Sequence, residues 1–167
     1  TDGSSEGVVL YNGTNADDTQ DPTRLGLIAA SNFSVRSPLI HITKEEVRRA
    51  SKHLDLPNWN FAASPCLRSR LALGVEATSD HLRAVNMAEE SVRDILDLDE
   101  TLNMRVRMLA GKKAMIELDR QWFEDSLSDT ATAENLLRHR GFEEYCKDLG
   151  FTGGIGIRPF KSGSVST

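Results

Sequence analysis

The sequence predicts an α/β chain in two parts: a remnant of a doubly wound parallel sheet over residues 1–70, then a small α+β unit over residues 71–167. Three observations carry this. Val8-Val9-Leu10-Tyr11 is a continuous apolar run stopped by Asn12-Gly13, the pattern of a strand buried on both faces. Thr43-x-x-Glu46 is a capping box, with Ile42 and Val47 placed as its hydrophobic staple. Asn103 to Leu109 alternates, and Ala110-Gly111-Lys112-Lys113 turns it back through Ala114 to Leu118 as a hairpin.

Length, composition and charge narrow the function classes. At 167 residues the chain can bury a core, as one ordinary domain or two small pieces. With 39% apolar and 27% charged residues it has the composition of a soluble globular protein, and no apolar run reaches membrane-spanning length. A net charge of -5 argues against a nucleic-acid partner, so local basic clusters are read as sites for small anions. Cys66 and Cys146 make no disulfide framework and no signal peptide opens the chain, so a cytoplasmic protein without a membrane partner is expected. Thr1 to Gly7 and Ser162 to Thr167 are polar ends, and a start at Thr1 rather than Met reads as a fragment.

In the first part, Val8–Tyr11 feeds the loop Gly13-Thr14-Asn15-Ala16-Asp17-Asp18, which lies where α/β proteins bind ligands, beyond the carboxyl end of a strand. The same residues are ordinary turn formers, and spacing alone favours a simple turn. Pro22 opens a helix with Leu25, Ile28 and Ala29 on a weak apolar face, and Ser34 to Ile42 reads as a strand region interrupted by Pro38. The capped helix then buries Val47, Ala50 and Leu54. Residues 8–54 thus read as βαβα, too few strands to close an open sheet alone.

In the second part, Thr78-Ser79-Asp80 caps a helix with Leu82, Val85, Val92 and Leu96 at helical spacing, and Glu89 falls in the same stripe. Burying a bare carboxylate is costly, so Glu89 is expected to meet a cation, a hydrogen-bond donor or a metal, or to reach water at the stripe's edge. In the hairpin Met104, Val106 and Met108 share one face and Arg105 and Arg107 the other, with the two arginines about 7 Å apart. Pairing Val106 with Ile116 sets Arg105 opposite Glu117. That predicts a cross-strand ion pair and leaves Arg107 as the freer anion ligand, unless both arginines merely solvate an outer face. A turn is expected at Glu124 and Asp125. Phe142, Tyr145, Cys146 and Leu149 share a helix face ended by Gly150, which makes Cys146 a core thiol. Ile155 and Ile157 suggest a last strand, giving the order αββααβ from residue 79.

Between the parts, Pro57 to Arg70 gathers a thiol, two guanidiniums and two hydroxyls in a segment that Pro57 and Pro65 keep extended. Arg68 and Arg70 beside Cys66 favour the thiolate; the other reading is a small buried thiol with solvated arginines. The chain has no Gly-x-x-x-x-Gly-Lys-Ser/Thr loop, no zinc-spaced Cys/His set and no Ser/His/Asp signature, and His41, His53, His81 and His139 are scattered. What remains is a loop thiol, two pairs of arginines and Glu89, a kit for holding a phosphorylated substrate against a nucleophile.

The residues resemble a known family. Gly13-Thr14-Asn15-Ala16-Asp17-Asp18, Arg36-Ser37-Pro38-Leu39, Lys44-x-x-Val47-Arg48 and Leu56-Pro57-x-Trp59 occur in the order seen in LarE-type ATP-dependent sacrificial sulfur transferases. So do Pro65-Cys66-Leu67-x-Ser69-Arg70, Arg105-Val106-Arg107, Ile116-Glu117 and Ser162-Gly163-Ser164. These enzymes belong to the PP-loop (N-type) ATP pyrophosphatase, adenine nucleotide alpha hydrolase-like superfamily. The resemblance implies that residues 1–70 are a Rossmann-like remnant of its ATPase domain and residues 71–167 a substrate and sulfur-transfer domain. It implies that ATP and Mg²⁺ adenylate a carboxylate of a nicotinate-derived pyridinium mononucleotide. A cysteine thiolate then displaces AMP, and cleavage of that cysteine passes sulfur to the substrate and leaves dehydroalanine. By the same resemblance Cys66 is the sulfur donor, and Ser69, Arg70, Arg105 and Arg107 hold phosphate. Glu89, with Asp125, binds a divalent metal near the thiol, and Asn15, Asp17 and Asp18 form the nucleotide-side loop. The implied partners are a small-molecule nucleotide substrate and further copies in a homo-oligomer.

One departure is large: the family's Ser-Gly-Gly-x-Asp-Ser loop, which cradles the ATP pyrophosphate, is not in this sequence, so the chain alone is not expected to hydrolyse ATP. Arg68 stands where the family has a small residue, and the two distant cysteines cannot supply the three thiolates of members that use an iron-sulfur cluster. Two other readings stand beside this one. The chain is part of another PP-loop synthetase, akin to NAD or GMP synthases, in which Cys66 is structural; or it is a non-catalytic nucleotide- or phosphate-binding remnant.

Overall fold

Thr43 and Glu46 form the capping box their spacing predicts. In the computed structural model, which describes residues 8–20, 25–125 and 130–161, the Thr43 hydroxyl accepts from Glu46 N and the Glu46 carboxylate accepts from Thr43 N. The box opens the second of two helices in the first unit, α1 (Leu25–Asn32) and α2 (Lys44–His53). Packing divides the chain into Thr1–Asn60 and Phe61–Thr167, so residues 61–70 pack with the second unit. Pro22 and the Ser162-Gly163-Ser164 motif lie outside the described residues.

Three expectations for the first unit are corrected. Val8–Tyr11 is not a strand buried on both faces: Val8 is 89% exposed, and Tyr11 makes an isolated parallel bridge to Arg36. Ser34 to Ile42 is turn rather than strand, with Ser34 at positive φ and Ile40 N donating to Ser37 O. An apolar run becomes a buried strand only where neighbours supply ladder partners and cover, and here each run offers the other a single bridged residue. The stripe of α2 is also uncovered, with Val47 half-buried and Ala50 and Leu54 exposed. No described residue of this unit is buried, and the βαβα sheet does not form among its described residues.

The second unit follows its pattern closely. Thr78 caps α3 (Ser79–Leu96), its hydroxyl accepting from His81 N at 3.1 Å. Ala84, Val85, Ala88, Val92 and Leu96 form the buried stripe, and they pack against β1 (Met104–Leu109). β1 pairs antiparallel with β2 (Lys113–Leu118) in the expected register, Val106 to Ile116 and Arg105 to Glu117. The helices α4 (Arg120–Asp125), α5 (Thr130–His139) and α6 (Phe142–Asp148) lead to β3 (Ile155–Pro159), which pairs in parallel with β2. The observed order is therefore αββαααβ. Glu124 and Asp125 lie in a helix and not in a turn, because Asp119 Oδ1 accepts from Gln121 N at the start of α4 and Trp122 is buried on one side of it.

Met104, Val106, Met108, Ala114, Ile116 and Leu118 fill one sheet face and, with the α3 stripe, Leu137, Phe142 and Phe151, make the core. Gly150, at positive φ, ends α6 in a Schellman motif, with Phe151 N donating to Cys146 O and Gly150 N to Lys147 O. Cys146 is the core thiol expected of it. Burial, with the Glu143 charge, pushes that thiol up to about 12. Among the described residues no helix is long and apolar enough to cross a membrane.

Candidate functional site

Cys66 occupies the N-cap position of a short 3-10 helix, Leu67–Arg70, and its thiol is exposed, not packed. Ser69 ties the turn together, since its N and Oγ both donate to Cys66 O, at 2.9 and 2.8 Å. Arg70 ends the turn with its side chain only 1% exposed. Its guanidinium donates to Pro65 O at 2.7 Å, to Ser69 Oγ at 3.1 Å and to Ser64 Oγ at 3.4 Å, and forms an ion pair with Glu89 at 2.9 Å. Arg70 thus fixes the segment that presents the thiol, while Arg68 is exposed.

The sheet face opposite the core is charged. Register sets Arg105, Glu117 and Arg158 in one row across the three strands. The expected Arg105–Glu117 ion pair does not form. Glu117 Oε2 accepts from Arg107 Nε at 2.6 Å, and Oε1 accepts from Arg158 Nε and Nη2 at 2.9 and 2.6 Å. Arg107, which also donates to Ser69 O at 2.8 Å, is the bound arginine, and Arg105 is the freer one. Register decides which Cβ atoms oppose one another, but a guanidinium reaches the diagonal neighbour equally well, and Arg158 arrives on a strand outside the hairpin.

Arg105 is 7% exposed. Its Nη2 donates to Ala63 O at 2.8 Å, its Cζ lies 5.0 Å from the Phe160 ring centroid, and its buried Nη1 has no hydrogen-bond partner among the described residues. Burial first, then the Arg70 charge, lowers its pKa against the opposing pull of Glu89, yet a guanidinium keeps its charge. Four guanidiniums, from Arg70, Arg105, Arg107 and Arg158, meet two carboxylates, Glu89 and Glu117. The cluster therefore carries a formal excess of positive charge, and Arg105 Nη1 is a buried donor without a hydrogen-bond partner among the described residues.

Glu89 finds two of the partners its stripe position demands. Its Oε1 accepts from Arg70 Nε at 2.9 Å and from Val106 N at 3.0 Å. A pocket of about 110 Å³ beside it is lined by Ser64, Arg70, Arg93, Asn103 and Glu89 itself. Among the described residues no group of three or more His, Cys, Asp or Glu side chains is placed to hold a metal ion. Asp125 closes α4 with a side chain outside the described part. Both close donors to Glu89 sit on Oε1, and Oε2 has Arg70 Nη2 at 3.5 Å.

Asn15, Asp17 and Asp18 belong to the first unit and structure their own loop. Asn15 Oδ1 accepts from Asp17 N and Asp18 N, and Asp18 Oδ2 accepts from Asn15 N. Asp17 Oδ2 accepts from Lys44 N at 2.7 Å, at the start of α2. Sequence reasoning missed Arg158 and Phe160. The alternation Ile155, Ile157 puts both on the other face, but nothing in a short parallel strand names the strand beside it.

No protein-family model matches the chain. The chain is 35% identical over 135 residues, 80% of its own length and 48% of the relative's, to an uncharacterized protein of Synechocystis sp.. It is 33% identical over 129 residues, 76% of its own length and 45% of the relative's, to the pyridinium-3,5-bisthiocarboxylic acid mononucleotide synthase of Lactiplantibacillus plantarum. The chain thus spans about half the length of the curated relatives it matches. The resemblance to LarE-type sulfur transferases that its motifs carry is supported by a synthase similar to it over three-quarters of its length.

Proposed function

We propose that this chain carries the sulfur-donating and phosphate-holding part of an ATP-dependent sulfur transferase acting on a pyridinium mononucleotide. The observation that carries the reading is the exposed Cys66 thiol on the turn that Arg70 pins to a buried arginine cluster in which Arg105 Nη1 has no hydrogen-bond partner among the described residues. The name of the similar Lactiplantibacillus synthase supports the substrate class. In this reading Arg105 and Ser69 meet the phosphate directly, and Arg70 and Arg107 hold the turn and add positive charge. The Cys66 thiolate attacks the adenylated carboxylate carbon, AMP leaves and a thioester forms. Loss of the residue-66 Cα proton then breaks the Cβ–Sγ bond, leaving dehydroalanine on the protein and a thiocarboxylate on the substrate.

ATP and Mg²⁺ bind elsewhere in the enzyme, with Asn15, Asp17 and Asp18 on the nucleotide side. The first unit is then the end of a PP-loop α/β domain, and its uncovered Val8–Tyr11 run and α2 stripe support that reading. The same reading makes the protein a cytoplasmic homo-oligomer. Mass spectrometry of the protein expressed from its whole reading frame, after turnover with ATP and substrate, is expected to show residue 66 short by the elements of hydrogen sulfide. Product formed with Cys66 intact overturns the donor role, and full ATP-dependent activity in Cys66→Ala favours a PP-loop synthetase with a structural cysteine.

A further inference from the structure

The unsatisfied guanidinium of Arg105 poses a problem of aim. A buried cation one strand away from a carboxylate ordinarily swings onto it, and Glu117 is its direct cross-strand partner. Both Glu117 oxygens are taken by Arg107 and Arg158, and Glu89 Oε1 is taken by Arg70 Nε and the Val106 N–H, with Arg70 Nη2 at 3.5 Å from Oε2. What backs Arg105 instead is an aromatic ring. Phe160 N donates to Leu118 O at 2.7 Å, so the ladder continues one residue past β3. Pro159 fixes φ just before it. Phe160 is two residues beyond Arg158, which puts both side chains on the charged face.

We infer that Phe160 is a positioning residue of the anion site, holding the Arg105 guanidinium by its ring face so that its buried Nη1 is kept off the neighbouring carboxylates and is left for a phosphate oxygen. The chemistry of the contact is what makes it suitable. A ring face attracts a desolvated cation through its quadrupole without accepting any of its N–H bonds, whereas a carboxylate in the same place would consume the donors and cancel the charge. An aliphatic side chain would leave the guanidinium free to seek another oxygen. Ala63 O takes Nη2 at 2.8 Å, so ring and carbonyl together fix the plane. The inference rests on the phosphate-holding reading of Arg105.

The test uses inorganic phosphate as the probe, titrated into the chain and its variants by calorimetry and by following the Arg105 Nε–Hε resonance. Phe160→Leu is expected to weaken phosphate binding about tenfold and Phe160→Tyr to restore it to within about twofold. In an Arg105→Met background, Phe160→Leu should cause no further loss. The Arg105 resonance should be ring-current shifted in the native and tyrosine proteins and not in the leucine one. Phe160→Met fills similar space without a ring face and gives the same reading if the leucine variant does not fold. Native-like phosphate affinity in Phe160→Leu, no rescue by tyrosine, or a loss that persists without Arg105 overturns the inference. Unchanged phosphate binding in Arg105→Met overturns the phosphate reading itself.

Discussion

Two cysteines in one chain have opposite surroundings. Cys66 is exposed at the head of a short turn, whereas Cys146 lies in the core with its thiol raised to about 12. Below about 9 both the folded and unfolded chains keep the Cys146 proton; above it the unfolded thiol loses the proton and the folded one holds it. The Cys146 contribution to stability is therefore present up to pH 9 and lost progressively as pH rises toward 12. Denaturant melts from pH 8 upward should show that decline, and Cys146→Ala should flatten that part of the profile. At pH 8 a disulfide reagent should label Cys66 alone until the protein is unfolded. The role of Cys146 is legible in the sequence because a cysteine on an apolar helix face is packed. The pairing of Arg105 is not, because the choice among three guanidiniums for one carboxylate depends on a third strand that the local pattern does not specify.

Elements that depend on neighbours in sequence follow from the sequence, and those that depend on cover do not. The Thr43–Glu46 box and the hairpin register are local, and both form as read. Val8–Tyr11 and Ser34–Ile42 have strand-like composition but only one bridged pair between them, so their strands do not form. Where β3 begins, backbone crowding is the controlling feature. A Cβ on Gly153 would run into Gly111 O and lie 2.8 Å from Lys113 N, both backbone atoms of the hairpin turn. Gly153→Ala should therefore destabilise the second unit by about 1–3 kcal/mol, seen as a lower urea midpoint with an unchanged slope. A neutral result would mean that the turn gives way more easily than its hydrogen bonds imply, among them Gly153 N to Lys112 O at 3.2 Å.

Across the whole molecule, burial is lopsided. Every buried residue among those described lies in the second unit, and most of the exposed large apolar side chains lie in the first. Residues 61–167 expressed alone should keep the cooperative melt of the full chain to within a few degrees. The full chain, and not that piece, should bind an apolar fluorescent dye. Loss of cooperative melting in the piece would show that the first unit supports the core. β1 is an outer strand, and its free side is closed by the Glu89 carboxylate on Val106 N and by the Leu71 bridge to Met108. A strand edge stripped of such cover is a template for another chain. Because Arg70 holds the same carboxylate, a ligand strong enough to draw Arg70 and Glu89 away would leave the Val106 N–H without its cap. The ion pair that fixes the thiol-bearing turn thus also holds the cap on the outer strand's Val106 N–H.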